Sequence, residues 1–332
     1  MLDKQRYLYY NDNIKKDIIK RAIKMNSKEI LKCRSCTELF PDNPQEAEKI
    51  YISLMKRFHP DICSEPFCNE VSALVNNLYH RFKTEIKYSS HTDYGFRYIR
   101  EYEREDGKIY FSDDYVYFIP ESELNDIMYP AFKSLTAGIN PKVLEQAETF
   151  LPKPEFNNTF LRMKTEKGEF PLDEVLDFFG KDIDPRHCAW IISRLLGICC
   201  FAKLGGIVWN CLSSDNLLIN PEMHTLRIIG GWWFSAKEGS KMTGVQSEIY
   251  NIMPPSCRTD GIARSITDLE CVKAICRKIF PKNSPAPMLE FAEKSCMSDS
   301  FSEMEYWEKT IIKSFGGRFF TEMKICIKDI YN

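Results

Sequence analysis

Four of the cysteines in this sequence have a spacing that a zinc ion could use. The chain carries 13 cysteines, and Cys33 and Cys36 precede Cys63 and Cys68. Two such pairs of thiolates can form a structural zinc site. A 16-residue helix predicted between the pairs would, however, separate Cys36 from Cys63 by about 24 Å. The spacing therefore predicts buried or loop thiols and no metal site.

A polar loop that follows the most apolar segment holds a second set of candidate catalytic side chains. Asp215 and Asn216 could hold a metal ion, and the aspartate could also accept a proton. Cys211 could act as a nucleophile, but no neighbouring base can be named, so we expect an inert thiol. His187 and His224 lie in a predicted first helical turn and near a predicted hairpin turn, where structural roles are expected.

A helical hairpin is predicted to position a third set of residues, His59, Pro60 and Asp61. Asn43, followed by proline and then by glutamate at the third position, is a strong helix start. Pro60 ends that helix, because proline biases the preceding residue away from helical backbone. A second helix is expected from Asn69.

The first helix of this hairpin has two chemically distinct faces. The apolar residues that recur at steps of three and four are Ala47, Ile50, Tyr51, Leu54 and Phe58. The cations of the other face are Lys49, Lys56 and Arg57. A helix that packs one face and presents the other as a basic surface is expected.

Together these features resemble a J domain, the module by which J-proteins engage a DnaK-type chaperone. The resemblance covers about residues 27–87 and departs upstream, where the Cys33 to Cys36 segment replaces the usual aromatic-rich opening. It implies that His59, Pro60 and Asp61 contact the chaperone and stimulate its ATP hydrolysis, helped by Lys56, Arg57 and Lys49. A plain helix-loop-helix in which the proline is only a stop signal remains the alternative.

The rest of the chain is predicted to contain a small antiparallel sheet followed by mostly helical structure. Strands are expected at 94–99, 108–111, 115–119 and 159–164, and helices at 121–135 and 142–150. Asp184 caps a long apolar helix that Gly205 and Gly206 end. That helix should be buried on nearly all sides.

The segment after this helix resembles the lower lobe of a protein kinase: a short strand, a catalytic-style loop, a hairpin and a glycine turn. An active kinase needs an aspartate base and two metal-holding side chains in these elements. Here Trp209, Asn210 and Cys211 stand where the base motif would be, and Asn216 alone matches the metal-binding asparagine.

The second metal-holding aspartate is also absent, since Gly230 or Gly231 stands in its place, ahead of Trp232 and Trp233. Neither a glycine-rich loop nor a lysine in the third strand is found upstream. Phosphoryl transfer would lack its main electrostatic contributions, so the resemblance implies a pseudokinase without cofactor. Trp232 and Trp233 could line a ligand groove, but packing in the core between the lobes is the expected role.

The layout as a whole is similar to phage-encoded proteins in which a J domain precedes a degenerate kinase-like domain. The segments that carry this likeness are Asp184-Pro185-Arg186-His187 with Ala189-Trp190, Gly230-Gly231-Trp232-Trp233-Phe234, Asp268-Leu269-Glu270 and Ser314-Phe315-Gly316. It implies an α+β protein with an all-α N-terminal hairpin and a two-lobed kinase-like domain. The expected boundaries are 1–26 for a helical extension, 27–90 for the J domain, and 91–165 and 166–332 for the two lobes.

The composition limits the classes of partner that this protein is expected to bind. The 332 residues are 44% apolar and carry a net charge of −2, which gives no global attraction to nucleic acid or to an anionic membrane. Reduced thiols and the absence of a basic-then-apolar leader predict a cytoplasmic protein, in the host cytoplasm if it is phage-encoded. Charged and glycine residues interrupt the most apolar segment, so no membrane span is expected.

Three functions are compatible with these patterns. The first is a co-chaperone or adaptor, not an enzyme, whose hairpin recruits a host DnaK-type chaperone while the kinase-like domain binds a client or partner. The second is an atypical phosphotransferase or nucleotidyl transferase that uses Asn216 and Asp215. The third is a phage decoy or anti-defence protein that occupies the chaperone unproductively.

Overall fold

The protein has a mixed α and β fold made of two compact units. The computed structural model describes residues 21–33, 36–41, 43–63, 66–84, 87–89, 96–112, 114–121, 125–137, 139–156, 160–319, 321–326 and 329–330. Helix accounts for 53% of the structure and strand for 15%, which agrees with the expected α+β class. The first unit comprises Met1–Glu101 and Tyr110–Tyr115, and the second comprises Tyr102–Ile109 and Val116–Asn332.

The first unit is built around two helices whose ends follow local sequence signals. Helix α1 (Ser27–Ile30) is short, and α2 (Pro44–Phe58) and α3 (Cys68–Thr84) form the predicted hairpin. The side chain of Asn43 accepts hydrogen bonds from the first-turn amides of α2, which confirms the predicted start. Residues 21–24 of the expected helical extension are helical and residues 25–26 are not, while residues 1–20 lie outside the described residues.

Helices α2 and α3 pack antiparallel over an aromatic seam. The rings of Tyr51 and Tyr79 stack with centroids 3.9 Å apart, and the Tyr51 hydroxyl donates to Asn76 at 2.9 Å. The ring of Phe40, upstream of α2, packs near that of Phe82 at the end of α3, with ring centroids 5.7 Å apart. The apolar stripe predicted for α2 is the buried face, since Ala47, Ile50, Leu54 and Phe58 are at most 1% exposed.

Twelve short strands form four sheets within the described residues. They are β1 (Lys87–Ser89), β2 (Phe96–Tyr98), β3 (Arg100–Arg104), β4 (Gly107–Phe111), β5 (Tyr115–Pro120), β6 (Pro154–Phe156), β7 (Leu161–Lys164), β8 (Phe170–Pro171), β9 (Ile207–Val208), β10 (Leu217–Asn220), β11 (Thr225–Ile228) and β12 (Ala236–Lys237). The largest sheet has the order β3-β4-β5-β7-β6. Smaller sheets pair β1 with β2, β12 with β9, and β10 with both β11 and β8.

The helices of the second unit gather around one long buried helix. They are α4 (Asn125–Thr136), α5 (Pro141–Ala147), α6 (Leu172–Phe179), α7 (Pro185–Gly205), α8 (Ser247–Ile252), α9 (Pro255–Asp260), α10 (Ile266–Ile279), α11 (Ala286–Glu293) and α12 (Ser300–Phe315). Asp184 caps α7, and Gly206 ends it in a left-handed conformation, as the sequence predicts. The indole of Trp307 on α12 donates to Ser193 on α7 at 2.9 Å.

Helix α7 is also long and apolar enough to cross a membrane, judged by length and composition alone. About half of its apolar window, 56%, is buried inside the protein. A core helix passes the same test of length and hydropathy. The helix therefore gives only weak evidence for a membrane span.

Candidate functional site

The first candidate site is the turn that follows α2. His59 is the C-cap of the helix and has extended backbone angles, because Pro60 disfavours helical backbone at the residue before it. The carbonyl of His59 accepts the amides of Ile62 and Cys63 at 3.0 and 2.9 Å. These two hydrogen bonds close a compact turn over Asp61.

Two polar side chains of this turn are open to solvent. The side chain of His59 is 43% exposed and that of Asp61 is 86% exposed. The Nδ1 atom of His59 accepts the Asp61 amide at 3.3 Å, so a neutral ring carries its hydrogen on Nε2. The turn thus holds the imidazole locally and leaves the Asp61 carboxylate exposed to solvent.

The three cations of α2 do not have equal roles. Lys49, Lys56 and Arg57 are all exposed. Arg57 donates to the carbonyl of Met25 at 3.0 Å and lies 4.6 Å from the ring centroid of Phe58. It therefore also ties the preceding segment to the hairpin, whereas Lys49 and Lys56 form no ion pair with the described residues.

Cys63 and Cys68 are joined by a disulfide, which corrects our expectation of free loop thiols. Cys63 ends the turn and Cys68 is the first residue of α3, so their side chains face each other across a short loop. Cys33 and Cys36 are buried and are not disulfide-bonded. The spacing did not distinguish free loop thiols from bonded ones, because the pairing depends on how the loop folds back onto α3.

The second candidate site is the loop 209–216 of the second unit. A buried carboxylate accepts hydrogen bonds from two backbone amides of this loop. Asp268 on α10 accepts the amide of Trp209 at 2.8 Å and that of Asn210 at 3.0 Å. Its side chain is buried, and the loss of water raises its pKa to about 7, against the two amide hydrogen bonds that lower it. The backbone of this loop is fixed, including Asn210 at a φ of 53°.

The carboxylate of Asp215 is already paired. Arg104 of β3 forms an ion pair with it and also donates to the Asp215 backbone carbonyl at 2.8 Å. The hydroxyl of Ser213 donates to the same carboxylate. The metal-ligand or base role that we considered for Asp215 would therefore require breaking these contacts.

The amide of Asn216 is also committed to the protein. It is 2% exposed and donates to the carbonyl of Cys211 at 3.0 Å and to the side chain of Gln246 at 2.7 Å. A Cβ atom at Gly230 would collide with the Asn216 side-chain oxygen, and one at Gly231 would lie 2.8 Å from the Cβ of Cys211. The packing therefore leaves no room for an aspartate at either glycine.

The turn between β3 and β4 packs against the same region. Asp106 is 5% exposed, and its carboxylate accepts the indole N–H of Trp233 at 3.1 Å and the amide of Gln246 at 3.2 Å. Burial raises its pKa despite these donors. Glu105 accepts the amide of Ser247 at 2.7 Å.

The remaining candidates pack against other side chains of the second unit. Trp232 and Trp233 are at most 1% exposed, and the rings of Trp233 and Phe118 pack with centroids 4.4 Å apart. Cys211 is fully buried, which raises the pKa of its thiol well above the usual value. His224 stacks on Trp190 at 4.7 Å.

Sequence reasoning missed three side chains that organise the loop: Arg104, Asp106 and Gln246. Each lies far along the chain from its partners, and none belongs to a motif. Asp268 carried a signal, since an aspartate within an apolar helical stripe must find donors when buried. In the part of the chain that the structure describes, no group of three or more histidine, cysteine or acidic side chains is arranged to hold a metal ion.

Comparison with known proteins adds no family. A scan against protein-family models finds no match for this chain, and neither does a search of the curated proteins.

Proposed function

We propose that this protein is a J-domain co-chaperone whose first unit recruits a DnaK-type chaperone and stimulates its ATP hydrolysis. The observation that carries the proposal is the exposed His59-Pro60-Asp61 turn between two antiparallel helices. Lys49 and Lys56 supply positive charge on the helix that leads into the turn. Exposed cations favour encounter with an acidic surface, and such attraction weakens as salt screens it.

The proposal is tested by titrating the protein into a fluorescently labelled bacterial DnaK-type chaperone in the presence of ATP and following anisotropy. We expect wild-type protein to bind and His59→Gln to lose binding. His80→Gln, an exposed histidine on α3, is the matched control and should bind like the wild type. Equal affinities of His59→Gln and wild type would contradict the proposal.

The charge component has its own measurement in the same assay. Replacing Lys49 and Lys56 by glutamine should slow association and flatten its dependence on salt, because the long-range attraction is removed. Unchanged association at low salt would show that these lysines do not face the chaperone.

For the second unit we propose a non-catalytic, kinase-like adaptor domain that binds a client or host protein. Phosphoryl transfer requires side chains that hold Mg²⁺ and a base that receives the substrate proton. The proposal is supported by the pairing of Asp215 with Arg104, by the three hydrogen bonds donated by Asn216, and by the tight packing at Gly230. The same contacts disfavour the alternative of an atypical phosphotransferase.

Two outcomes separate these alternatives. We expect no thermal shift on adding ATP and Mg²⁺, and no label transferred from γ-labelled ATP to the protein or to a generic substrate. A nucleotide-dependent shift together with label transfer would favour the phosphotransferase. Chaperone binding without stimulation of its ATPase would instead favour the decoy. For all three functions we propose a cytoplasmic location, in the host cytoplasm if the protein is phage-encoded.

A further inference from the structure

The disulfide Cys63–Cys68 begins at the last residue of the turn that contains His59. The amide of Cys63 donates to the His59 carbonyl at 2.9 Å, and the sulfur of Cys63 is bonded to the first residue of α3. The Cα atoms of the two cysteines are 6.2 Å apart. The bridge therefore links the histidine turn at one end of the loop to the start of α3 at the other.

The loop closed by this bridge contains a residue in an unfavourable backbone conformation. Phe67 has a φ of 72°, a left-handed value that is rare for a bulky side chain. Its ring is half exposed, so side-chain burial does not explain the conformation. Such a conformation persists when the surrounding structure enforces it, and the adjacent Cys68 bridge is the covalent constraint on this loop.

Most of the other cysteines that the structure describes are poorly suited to thiol exchange. Burial raises the thiol pKa of most of the other cysteines, to about 11 for Cys200 and about 12 for Cys188. Such thiols hold little thiolate at neutral pH and exchange slowly. Cys63 is only partly buried, like Cys200, but it is already paired with a second cysteine five residues away.

We propose that Cys63 and Cys68 form a reversible redox-modification site that sets the geometry of the His59 turn. The reagent class is a small-molecule disulfide of the glutathione type. In a reducing compartment a disulfide of this kind is transient and serves sensing more often than structure. The consequence for chaperone binding rests on the proposed function, whereas the chemistry at the cysteines does not.

The exchange balances in two steps. The Cys63 thiolate attacks one sulfur of oxidised glutathione, which forms a mixed disulfide and releases one glutathione thiolate. The Cys68 thiolate then attacks the Cys63 sulfur, forms the bridge and releases the second glutathione. The protein pair loses two electrons and two protons, and glutathione disulfide gains both, so no other oxidant is needed.

The first test is amide hydrogen exchange on the full-length wild-type protein, oxidised with glutathione disulfide or reduced with dithiothreitol. We expect the amides of Ile62 and Cys63 to exchange roughly tenfold faster after reduction, below the limit of about 40-fold that chain entropy gives for a six-residue loop. Cys63→Ser/Cys68→Ser should match the reduced protein in both buffers. Cys326→Ser, which removes an exposed free thiol, should behave like the wild type. Equal exchange in the two redox states would overturn the proposal.

The second test is chaperone stimulation by the same samples. Oxidised wild-type protein should stimulate the ATPase more strongly than reduced protein, and the double serine variant should respond to neither reagent. A difference in exchange with equal stimulation would overturn the link between the bridge and the turn's activity. If no sample stimulates, the proposed function fails, while a difference in exchange would still establish the redox site.

Discussion

Asp268 gives the most quantitative prediction, because it is buried and holds two backbone amides of the loop 209–216. In Asp268→Ala both amides lose their acceptor. Each buried donor without a partner costs about 1 to 3 kcal/mol, so the free energy of unfolding of the second unit should fall by about 4 kcal/mol. Asp268→Asn retains one acceptor and should lose about half of that.

The raised pKa adds a pH dependence with a definite sign. A carboxyl whose folded pKa is about 7 and whose unfolded value is 3.8 stabilises the fold most at low pH. This stability is lost as pH rises from about 4 to about 7, because the unfolded carboxyl ionises while the buried one must keep its proton, and the loss levels off above pH 7. Between pH 5 and pH 8 the loss amounts to about 3 kcal/mol. Asp268→Asn cannot ionise, so the advantage of about 2 kcal/mol that wild type has over it at pH 5 should vanish or reverse at pH 8.

The assay is urea unfolding followed by tryptophan fluorescence at pH 5 and pH 8. All five tryptophans lie in the second unit, so the signal reports on that unit alone. Asp177→Asn, at an exposed position on α6, makes the same Asp-to-Asn replacement without removing a buried acceptor. A cost for Asp268→Ala below about 0.5 kcal/mol, typical of a surface change, would refute the structural argument. A pH-independent difference between Asp268→Asn and wild type would refute the pKa argument.

Three further predictions use standard unfolding measurements. Gly230→Ala should destabilise the second unit by about 1 to 3 kcal/mol, because the added methyl group would collide with a buried side-chain amide. Gly197→Ala, with open space at the Cβ position, should be neutral or slightly stabilising. Similar changes in stability for both variants would contradict the packing. Glu169→Gln should lower the free energy of unfolding by about 3 to 5 kcal/mol, because it leaves the buried guanidinium of Arg227 without its charge partner. A loss under about 1 kcal/mol would show that the pair is solvated. Asn43→Ala should lower the stability of the first unit by about 1 kcal/mol, measured by far-ultraviolet circular dichroism, through loss of the α2 cap; no change would argue against the cap.

Local signals in the sequence predicted the elements whose ends are set within a few residues. The start of α2 at Asn43-Pro44 and its end before His59 depend on capping and on proline, so both could be predicted. The same holds for α7, which Asp184 opens and a left-handed glycine closes. Strand β3 was missed, because it is mostly charged and lacks the β-branched residues that mark strands.

The contacts that organise the loop 209–216 could not be predicted from one sequence. Arg104 and Asp215 are separated by 111 positions, and Asp106 and Trp233 by 127. Nothing in the local pattern around either pair indicates its partner. The disulfide Cys63–Cys68 was missed for a related reason, since a spacing of five residues suits loop thiols and a closed bridge equally.

The central claim, that the His59 turn acts on a chaperone, is tested most directly by the steady-state ATPase rate of a bacterial DnaK-type chaperone with this protein added. The account predicts stimulation by wild-type protein and by His80→Gln, and a basal rate with His59→Gln. Equal stimulation by His59→Gln and wild type, or no stimulation by any of the three, would contradict it.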